Sequence, residues 1–229
     1  MQTNEVSRCA YLYPVFCYIY EKVGKPLALI ELGTSAGIQL LWDQYRYSYG
    51  TETTYGQQSS KIFLTSEVRG KKQPFLFVNQ PTVSARIGID LHINDLHDEE
   101  DCLWLQALIW PNHVKRRELF RYAAEEVRQH TLQLIEGDGV RLLSSIVKKI
   151  DGDSALCIFH THVANQLQAD EQQRLLNEID QIGKTRDVFH LYNNLPDEKL
   201  RLDYYINGLK SMNIVGETEG HGKWFTWNL

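Results

Sequence analysis

Residues 30–42 constrain the fold more than any other part of the chain. The apolar run 26–30 that leads into them is typical of a parallel strand covered on both faces, and Glu31 falls at its carboxyl end. Apolar residues then recur at helical spacing from Ile38 to Trp42 and predict a helix. The sequence therefore predicts a buried strand, a tight turn and a helix in direct succession.

Small residues occupy every second position of that turn: Gly33, Ser35 and Gly37. They allow the backbone to bend sharply and a ligand to lie close against it. The carboxylate of Glu31 could accept hydrogen bonds from a sugar or an amino group, and a helix N-terminus offers unpaired N–H donors to an anion. The pattern favours a nucleotide-like ligand, and the alternative is a tight turn without a ligand.

The spacing Glu31-x-Gly33-x-Ser35-x-Gly37 resembles the acidic-Gly-x-Gly-x-Gly signature of class I S-adenosylmethionine-dependent methyltransferases, with Ser35 at the middle glycine. This resemblance implies S-adenosylmethionine as a small-molecule cofactor, bound at the Glu31–Gly37 turn. It also implies an α/β, Rossmann-like methyltransferase fold. In that fold a mostly parallel central sheet has helices on both faces and ends in a C-terminal β-hairpin.

A narrower resemblance covers nearly the whole chain. Residues 3–6 with Arg8, residues 31–47 and the terminal motif 221–224 resemble an uncharacterised bacterial domain family, a domain of unknown function with a methyltransferase-like fold. Members of that family usually carry a further helical region ahead of Asn4-Glu5. Met1 almost coincides with that point, so we expect this copy to be truncated at its N-terminus.

Composition and charge limit the classes of partner. The 229 residues suffice for one α/β domain, which we expect to span 1–229, and the net charge of −5 gives no global attraction to nucleic acid or to an anionic membrane. No apolar segment is long enough to cross a bilayer. The four cysteines lack Cys-x-x-Cys spacing and are typical of reduced core thiols. We expect a cytoplasmic protein.

Amphipathic periodicity predicts helices at 5–22, at 98–130 with a break at Pro111, around 142–147, and at 169–182. Gly24 should end the first of them. Asn4, Glu5 and Arg8 at its start could face the ligand pocket, or simply form a capped, solvated helix end.

Residues 45–85 form a tyrosine-rich insertion after the predicted turn helix. Two β-like runs, 62–64 and 75–78, flank a plausible turn at 70–72 and predict an antiparallel hairpin. The tyrosines could stack on a substrate or meet a partner subunit in a homodimer. The favoured alternative is the half-buried face of a strand.

Acidic residues end two further predicted strands. Segment 86–91 resembles the second core strand of a methyltransferase, which implies that Asp90 holds the ribose hydroxyls and that Leu91 covers the adenine. Glu67 is the rival for the ribose. Segment 132–138 ends in Gly-Asp, and the resemblance implies that Asp138 accepts a hydrogen bond from the adenine amino group.

The most apolar run, 154–159, predicts a central fourth strand that delivers His160 and His162 to the carboxyl edge of the sheet. A fifth strand at 188–192 follows, ending at two asparagines. A closing hairpin then runs through 200–206, a turn at Asn207-Gly208, and 212–227.

These features predict an S-adenosylmethionine-dependent methyltransferase whose acceptor is unknown. His160 or His162 is the candidate catalytic base, because histidine can take a proton near neutral pH. One alternative is a non-catalytic module that binds the cofactor. Another is a metal-dependent hydrolase using His160 and His162 with Asp138 or His190 as a third ligand. The preferred interpretation assigns no metal site.

Overall fold

The computed structural model describes residues 5–77 and 80–229. The helices of that part are α1 (Cys9–Val23), α2 (Glu99–Ala107), α3 (Val114–Gln129), α4 (Gly139–Val147) and α5 (Ala169–Gly183). Its strands are β1 (Leu27–Leu32), β2 (Arg46–Ser48), β3 (Thr54–Gly56), β4 (Phe63–Thr65), β5 (Glu67–Arg69), β6 (Val83–Asp90), β7 (Gln133–Glu136), β8 (Ala155–His160), β9 (Val188–Tyr192), β10 (Leu200–Ile206), β11 (Leu209–Gly216) and β12 (Trp224–Thr226).

A seven-stranded central sheet has the strand order β11-β10-β9-β8-β1-β6-β7. The pairs from β9 through β8, β1 and β6 to β7 are all parallel. Strands β10 and β11 form the antiparallel hairpin predicted around Asn207-Gly208, but its second strand ends at Gly216 instead of continuing to 227, and β12 belongs to another sheet. A mixed α/β fold with a mostly parallel central sheet is thus confirmed.

Helices cover both faces of the sheet, as predicted. Leu27 and Leu29 of β1 belong to one apolar core together with residues of α1 and α3. Ile30 and Leu32 belong to a second core together with residues of α4 and α5. Because successive side chains of a strand point to opposite faces, a strand between two helical layers must be apolar throughout. This explains the continuous apolar run of β1.

The N-terminal helix forms despite its internal proline. Pro14 has no N–H to donate to the carbonyl of Ala10, and the hydroxyl of Tyr49 donates to that oxygen instead, at 2.8 Å. Gly24 ends α1 with φ +63, and its N–H bonds to the carbonyl of Tyr20. The predicted helix and its end point are confirmed, and Asn4 lies outside the described residues.

The hairpin predicted between 62–64 and 75–78 is wrong. Strand β4 pairs in parallel with β2, and β5 pairs in parallel with β12 near the C-terminus. Residues 72–77 form no strand, and Val78 lies outside the described residues. The antiparallel hairpin of the insertion is β2 with β3.

The insertion tyrosines are mostly core residues. Tyr45, Tyr47 and Tyr49 are buried, and the hydroxyl of Tyr45 donates to the carbonyl of Ile38 at 2.6 Å. These three side chains are therefore unavailable for stacking on a substrate or on a partner subunit. The interpretation as a strand face is confirmed for Tyr47 of β2, whereas Tyr45 and Tyr49 directly flank that strand.

The helix predicted after the glycine turn is a 3-10 segment, Ile38–Gln44, with a kink at Leu41. It is anchored by Asp43, whose two carboxylate oxygens accept hydrogen bonds from Arg86 of β6 at 2.7 and 2.6 Å. None of the described helices is long and apolar enough to cross a membrane.

Candidate functional site

A cavity of about 700 Å³ opens at the carboxyl ends of β1, β6 and β8. Open parallel sheets bind ligands at this edge. Among its lining residues are most of those singled out from the sequence: Glu31, Gly33, Ser35, Asp90, Leu91, Asp138, His160 and His162. The strand order explains this convergence, because β1 lies between β6 and β8 in the sheet.

Gly37 does not line this cavity. It has φ +77, and a Cβ atom at this position would lie 2.7 Å from a methyl carbon of Leu132. The absence of a side chain at Gly37 thus allows Leu132 to pack closely against the turn.

The amides of the glycine turn are mostly occupied by the protein itself. The N–H groups of Gly33 and Thr34 both point to the carbonyl of Ile89, and that of Gly37 bonds to Thr34. The backbone N–H of Ser35 is taken by Asp90. These four residues therefore have no unpaired N–H group for an anion, and donation from the N-terminus of the following helix stays a prediction.

Asp90 ends β6 directly beside the turn. Its Oδ2 accepts the N–H of Ser35 at 2.7 Å, and its Oδ1 accepts the N–H of His92 at 3.3 Å. Glu67, the rival acid, lies in β5, pairs with Arg69 and does not line the cavity. Of the two acids, Asp90 alone can reach a ligand in this cavity.

Glu31 is a buried acid at the centre of the site. Its Oε2 accepts a hydrogen bond from the hydroxyl of Thr34 at 2.6 Å. Burial raises the pKa of Glu31 to about 8, further raised by the charge of Asp90 and opposed by Thr34 and Arg8. The side chain is therefore largely protonated at neutral pH in the ligand-free protein.

Asp138 has a structural partner for each oxygen. Its Oδ1 accepts the N–H groups of Val140 and Arg141 and so caps the N-terminus of α4. Its Oδ2 lies 3.0 Å from the Nε of Arg141. The sequence Gly-Asp before a helix is explained by this cap, and contact of Asp138 with an adenine amino group stays a prediction.

His160 is fully buried, and its Nε2 lies 3.1 Å from the Nε2 of His190, a hydrogen bond in which one ring donates. Burial lowers the pKa of His160 to about 4. Burial and the neighbouring His160 lower the pKa of His190 as well. The pair is thus uncharged at neutral pH.

The tautomer of His162 follows from its neighbours. Asn193 Oδ1 accepts the backbone N–H of His162 at 2.8 Å, and Nδ2 of Asn194 contacts that same oxygen at 3.1 Å. The atom of Asn194 that meets an acceptor oxygen must be its amide nitrogen, so it also donates to Nδ1 of His162, 3.2 Å away. The ring proton of neutral His162 is therefore on Nε2, which has no hydrogen-bond partner among the described residues.

His162 is also neutral at physiological pH. Burial lowers its pKa to about 4, assisted by the positive charges of Arg8 and His221 and opposed by Glu219. The residue has φ +57, an unusual conformation for a side chain with a Cβ. The N–H group of neutral His162 is thus buried beside the cavity and has no hydrogen-bond partner among the described residues.

Several residues from distant segments complete the cavity: Glu5, Arg8, Gln39, Thr161 and Gln166. The sequence pattern had singled out Glu5 and Arg8, but not Gln39, Thr161 or Gln166. The run of consecutive polar residues from His160 to His162 at the end of β8 is the available signal for Thr161.

The terminal motif folds back onto the start of α1. The carboxylate of Glu5 is buried and lies 2.9 Å from Nδ1 of His221 and 2.7 Å from Nε of Arg116. Gly222 has φ +70, and a Cβ there would lie 2.2 Å from the carbonyl oxygen of Ser7. Only glycine permits this approach.

The described residues contain no group of three or more His, Cys, Asp or Glu side chains that could hold a metal ion. His160 faces His190, and Asp138 is committed to its helix cap. The donor set that the hydrolase alternative requires does not assemble in this part of the chain.

A family model matches residues 1–227, nearly the full chain. The family is DUF2332, described as an uncharacterized protein conserved in bacteria. The chain belongs to this family. The predicted membership in an uncharacterised bacterial domain family is thereby confirmed.

No curated protein and no solved structure matches this DUF2332 chain. The family description carries no activity. The methyltransferase resemblance therefore stays a prediction, and the chemistry of the cavity is the basis for a functional proposal.

Proposed function

We propose that the cavity binds S-adenosylmethionine and that the protein transfers its methyl group to a second, small ligand. The position of Asp90 carries this proposal. It ends the strand next to β1, it borders the cavity, and it is held by the glycine turn. A carboxylate has about four lone-pair sites. With two N–H donors bound, Asp90 retains acceptor capacity for two vicinal hydroxyls.

The residue after Asp90 suits an adenine ring. Leu91 is 77 % exposed and lines the cavity, so its apolar side chain is uncovered in the ligand-free protein. An aromatic base lying on Leu91 would remove this apolar surface from water. Such burial is favourable by about 25 cal/mol per Å².

Glu31 suits the cationic part of the same ligand. S-adenosylmethionine carries an ammonium and a sulfonium group. A buried acid with a raised pKa releases its proton when a cation arrives, and the resulting carboxylate pairs with that cation. Glu31 thus discriminates a cationic cofactor from a neutral nucleoside.

Backbone strain supports a functional role for this edge. Four described residues other than glycine have positive φ: Ser35, His162, Asn194 and Asn207. The first two line the cavity and the third contacts His162. Strained residues cluster at binding sites, where the surrounding structure holds them in place.

Methyl transfer from a sulfonium depends on alignment of the nucleophile and exclusion of water. His160 and His162 are the candidate catalytic residues, but pKa values of about 4 make both weak bases at neutral pH. Neutral His162, with its proton on Nε2, is a hydrogen-bond donor at that atom and not a base. The proposed mechanism therefore relies on positioning more than on proton removal.

A cofactor-binding module without catalysis is the second candidate. The observation that favours it is the same pair of low histidine pKa values, which leaves the cavity without a strong base. The two candidates share the binding step and differ in turnover.

Native mass spectrometry of the full chain tests the binding step. S-adenosylmethionine and its demethylated product should each form a one-to-one adduct. Adenosine 5′-monophosphate, which keeps the adenosine but lacks the cationic part, should not. Absence of the first two adducts, or an equal adduct with the monophosphate, would contradict the proposal. Formation of demethylated cofactor upon addition of a bacterial small-molecule extract would separate an enzyme from a binding module.

A further inference from the structure

Arg8 is a buried cation without a carboxylate partner in the described part of the chain. Its side chain lines the cavity, and the residue is only 8 % exposed. Its Nε donates to the carbonyl of Gly220 at 3.0 Å, and one Nη donates to the hydroxyl of Thr161 at 3.4 Å. Two of the five N–H groups of the guanidinium are thus used, both by uncharged oxygens.

Neither Glu5 nor Glu31, which line the same cavity, forms an ion pair with Arg8. Glu5 pairs with Arg116 and His221, and Glu31 is largely protonated at neutral pH. Burial of a charge without a counter-charge is expensive, so such groups are usually paired or bind a ligand. An unpaired buried guanidinium at a cavity wall therefore indicates an anion site.

Thr161 and His162 lie beside Arg8 at the same end of the cavity. The hydroxyl of Thr161 accepts a hydrogen bond from Arg8 and donates one to Oε1 of Gln39 at 3.2 Å, and His162 is the next residue along the chain. Gly220 lies near both side chains: its carbonyl accepts a hydrogen bond from Arg8, and a Cβ at this glycine would lie 3.8 Å from Cε1 of His162. The Nε2–H of His162 has no partner among the described residues.

Four N–H groups of the glycine turn are not available to an anion. Those of Gly33, Thr34, Ser35 and Gly37 bond within the protein. Arg8 is the one arginine or lysine among the described residues that line the cavity, so we expect an anionic ligand group on its side.

We infer that Arg8, held in place by Gly220 and Thr161, forms a subsite for the carboxylate of the acceptor, which is then a small carboxylic acid. This inference rests on the proposed function, since it assigns the Asp90 side of the cavity to the cofactor. A planar carboxylate can accept two parallel hydrogen bonds from the unpaired N–H groups of a guanidinium. A phosphate dianion fits less well, because Arg8 alone among the described lining residues is an arginine or lysine and would have to balance two negative charges.

NMR titration of the full chain with benzoate and with its neutral isostere benzamide tests the subsite without any cofactor. Benzoate should bind at least about tenfold more tightly than benzamide, the range expected for hydrogen bonds to a charged group. Equal affinities would overturn the subsite.

Arg8→Met should weaken benzoate binding by about 10- to 100-fold and leave benzamide unchanged. Arg141→Met is the matched control, since Arg141 is an exposed arginine on α4 and should leave both affinities unchanged. Unaltered benzoate binding in Arg8→Met would overturn the proposal. If Arg8→Met fails to fold, Arg8→Lys replaces it. This variant keeps the positive charge but cannot form two parallel hydrogen bonds with a carboxylate, so it should bind benzoate more weakly than the wild type does.

Cofactor analogues then identify the source of the carboxylate. If the acceptor supplies it, Arg8→Met leaves the affinities for S-adenosylmethionine and its decarboxylated form equally unchanged. A selective loss for S-adenosylmethionine would overturn the assignment to the acceptor. The two proposals fail separately: absent cofactor binding contradicts the proposed function, whereas absent benzoate selectivity contradicts only the subsite.

Discussion

The carboxylate of Asp90 accepts the backbone N–H of Ser35 at 2.7 Å and so ties the end of β6 to the turn after β1. Ser35 stands where the methyltransferase signature has its middle glycine, and it has φ +53, a conformation that favours glycine. The acid proposed to hold the ribose thus also holds the turn in shape. Ligand binding and turn geometry are coupled through one side chain.

Gly33→Ala should destabilise the protein more than Gly24→Ala. Both glycines have positive φ, which costs about 1–2 kcal/mol for other residues. A Cβ at Gly24 meets open space, whereas one at Gly33 would lie 2.4 Å from a methyl of Val163. Overpacking should add about 1–3 kcal/mol at Gly33. Urea denaturation measures both, and equal losses would contradict the observed packing.

Glu31→Gln should change how stability depends on pH. The pKa of Glu31 is raised from 4.5 to about 8 in the folded protein. Between these values the folded state holds a proton that the unfolded chain has lost. Wild-type stability should therefore fall as pH rises through this window, by up to about 1.4 kcal/mol per unit.

The Glu31→Gln variant lacks this titration, so it should gain stability relative to the wild type between pH 5 and pH 8. Thermal unfolding across that range measures the difference. Glu67→Gln is the exposed control and should follow the wild-type curve. Parallel curves for Glu31→Gln and wild type would show that Glu31 is ionised throughout.

Acidification should destabilise the protein through its buried histidines. The pKa of His160 is lowered from 6.5 to about 4, so the unfolded chain binds more protons between these values. Stability should fall as pH drops through that window, by up to about 1.4 kcal/mol per unit for His160. His160→Asn should reduce the slope of stability against pH, whereas His97→Asn, at an exposed position, should not. Equal slopes in all three proteins would contradict the buried pair.

Asp43→Ala should be strongly destabilising. Its carboxylate forms a bidentate ion pair with Arg86, and both side chains are largely buried. Loss of one partner from a buried pair costs about 3–5 kcal/mol. Glu67→Ala removes the exposed pair with Arg69 and should cost at most about 1 kcal/mol. Similar values in urea denaturation would contradict the anchoring of the 3-10 segment.

Much of the central sheet could be predicted, because the local sequence pattern of several strands and turns matches the structure that they adopt. The apolar run of β8 and the Asn207-Gly208 turn each predict their element from neighbouring residues alone. The pairing of β5 with β12 could not be predicted, because its register joins Glu67 to Trp224 across most of the chain. Short strands that pair over such distances leave no local periodicity.

The candidate site was only partly predictable. Asp90 could be placed because acids at neighbouring strand ends meet at one edge of the sheet. The role of Asp138 could not, since a helix cap and a ligand contact require the same residue at the same position. Sequence placed Arg8 near the pocket, but its lack of a carboxylate partner is a property of the folded structure.

Calorimetric titration with S-adenosylmethionine, on wild type, Asp90→Asn and Glu67→Gln, tests the central claim most directly. Wild type should bind in the micromolar range, about 7–8 kcal/mol. Asp90→Asn should weaken binding by about 10- to 100-fold, because it removes the charged acceptor, and Glu67→Gln should leave it unchanged. No heat from the wild type at millimolar cofactor, or a loss in Glu67→Gln alone, would contradict the account.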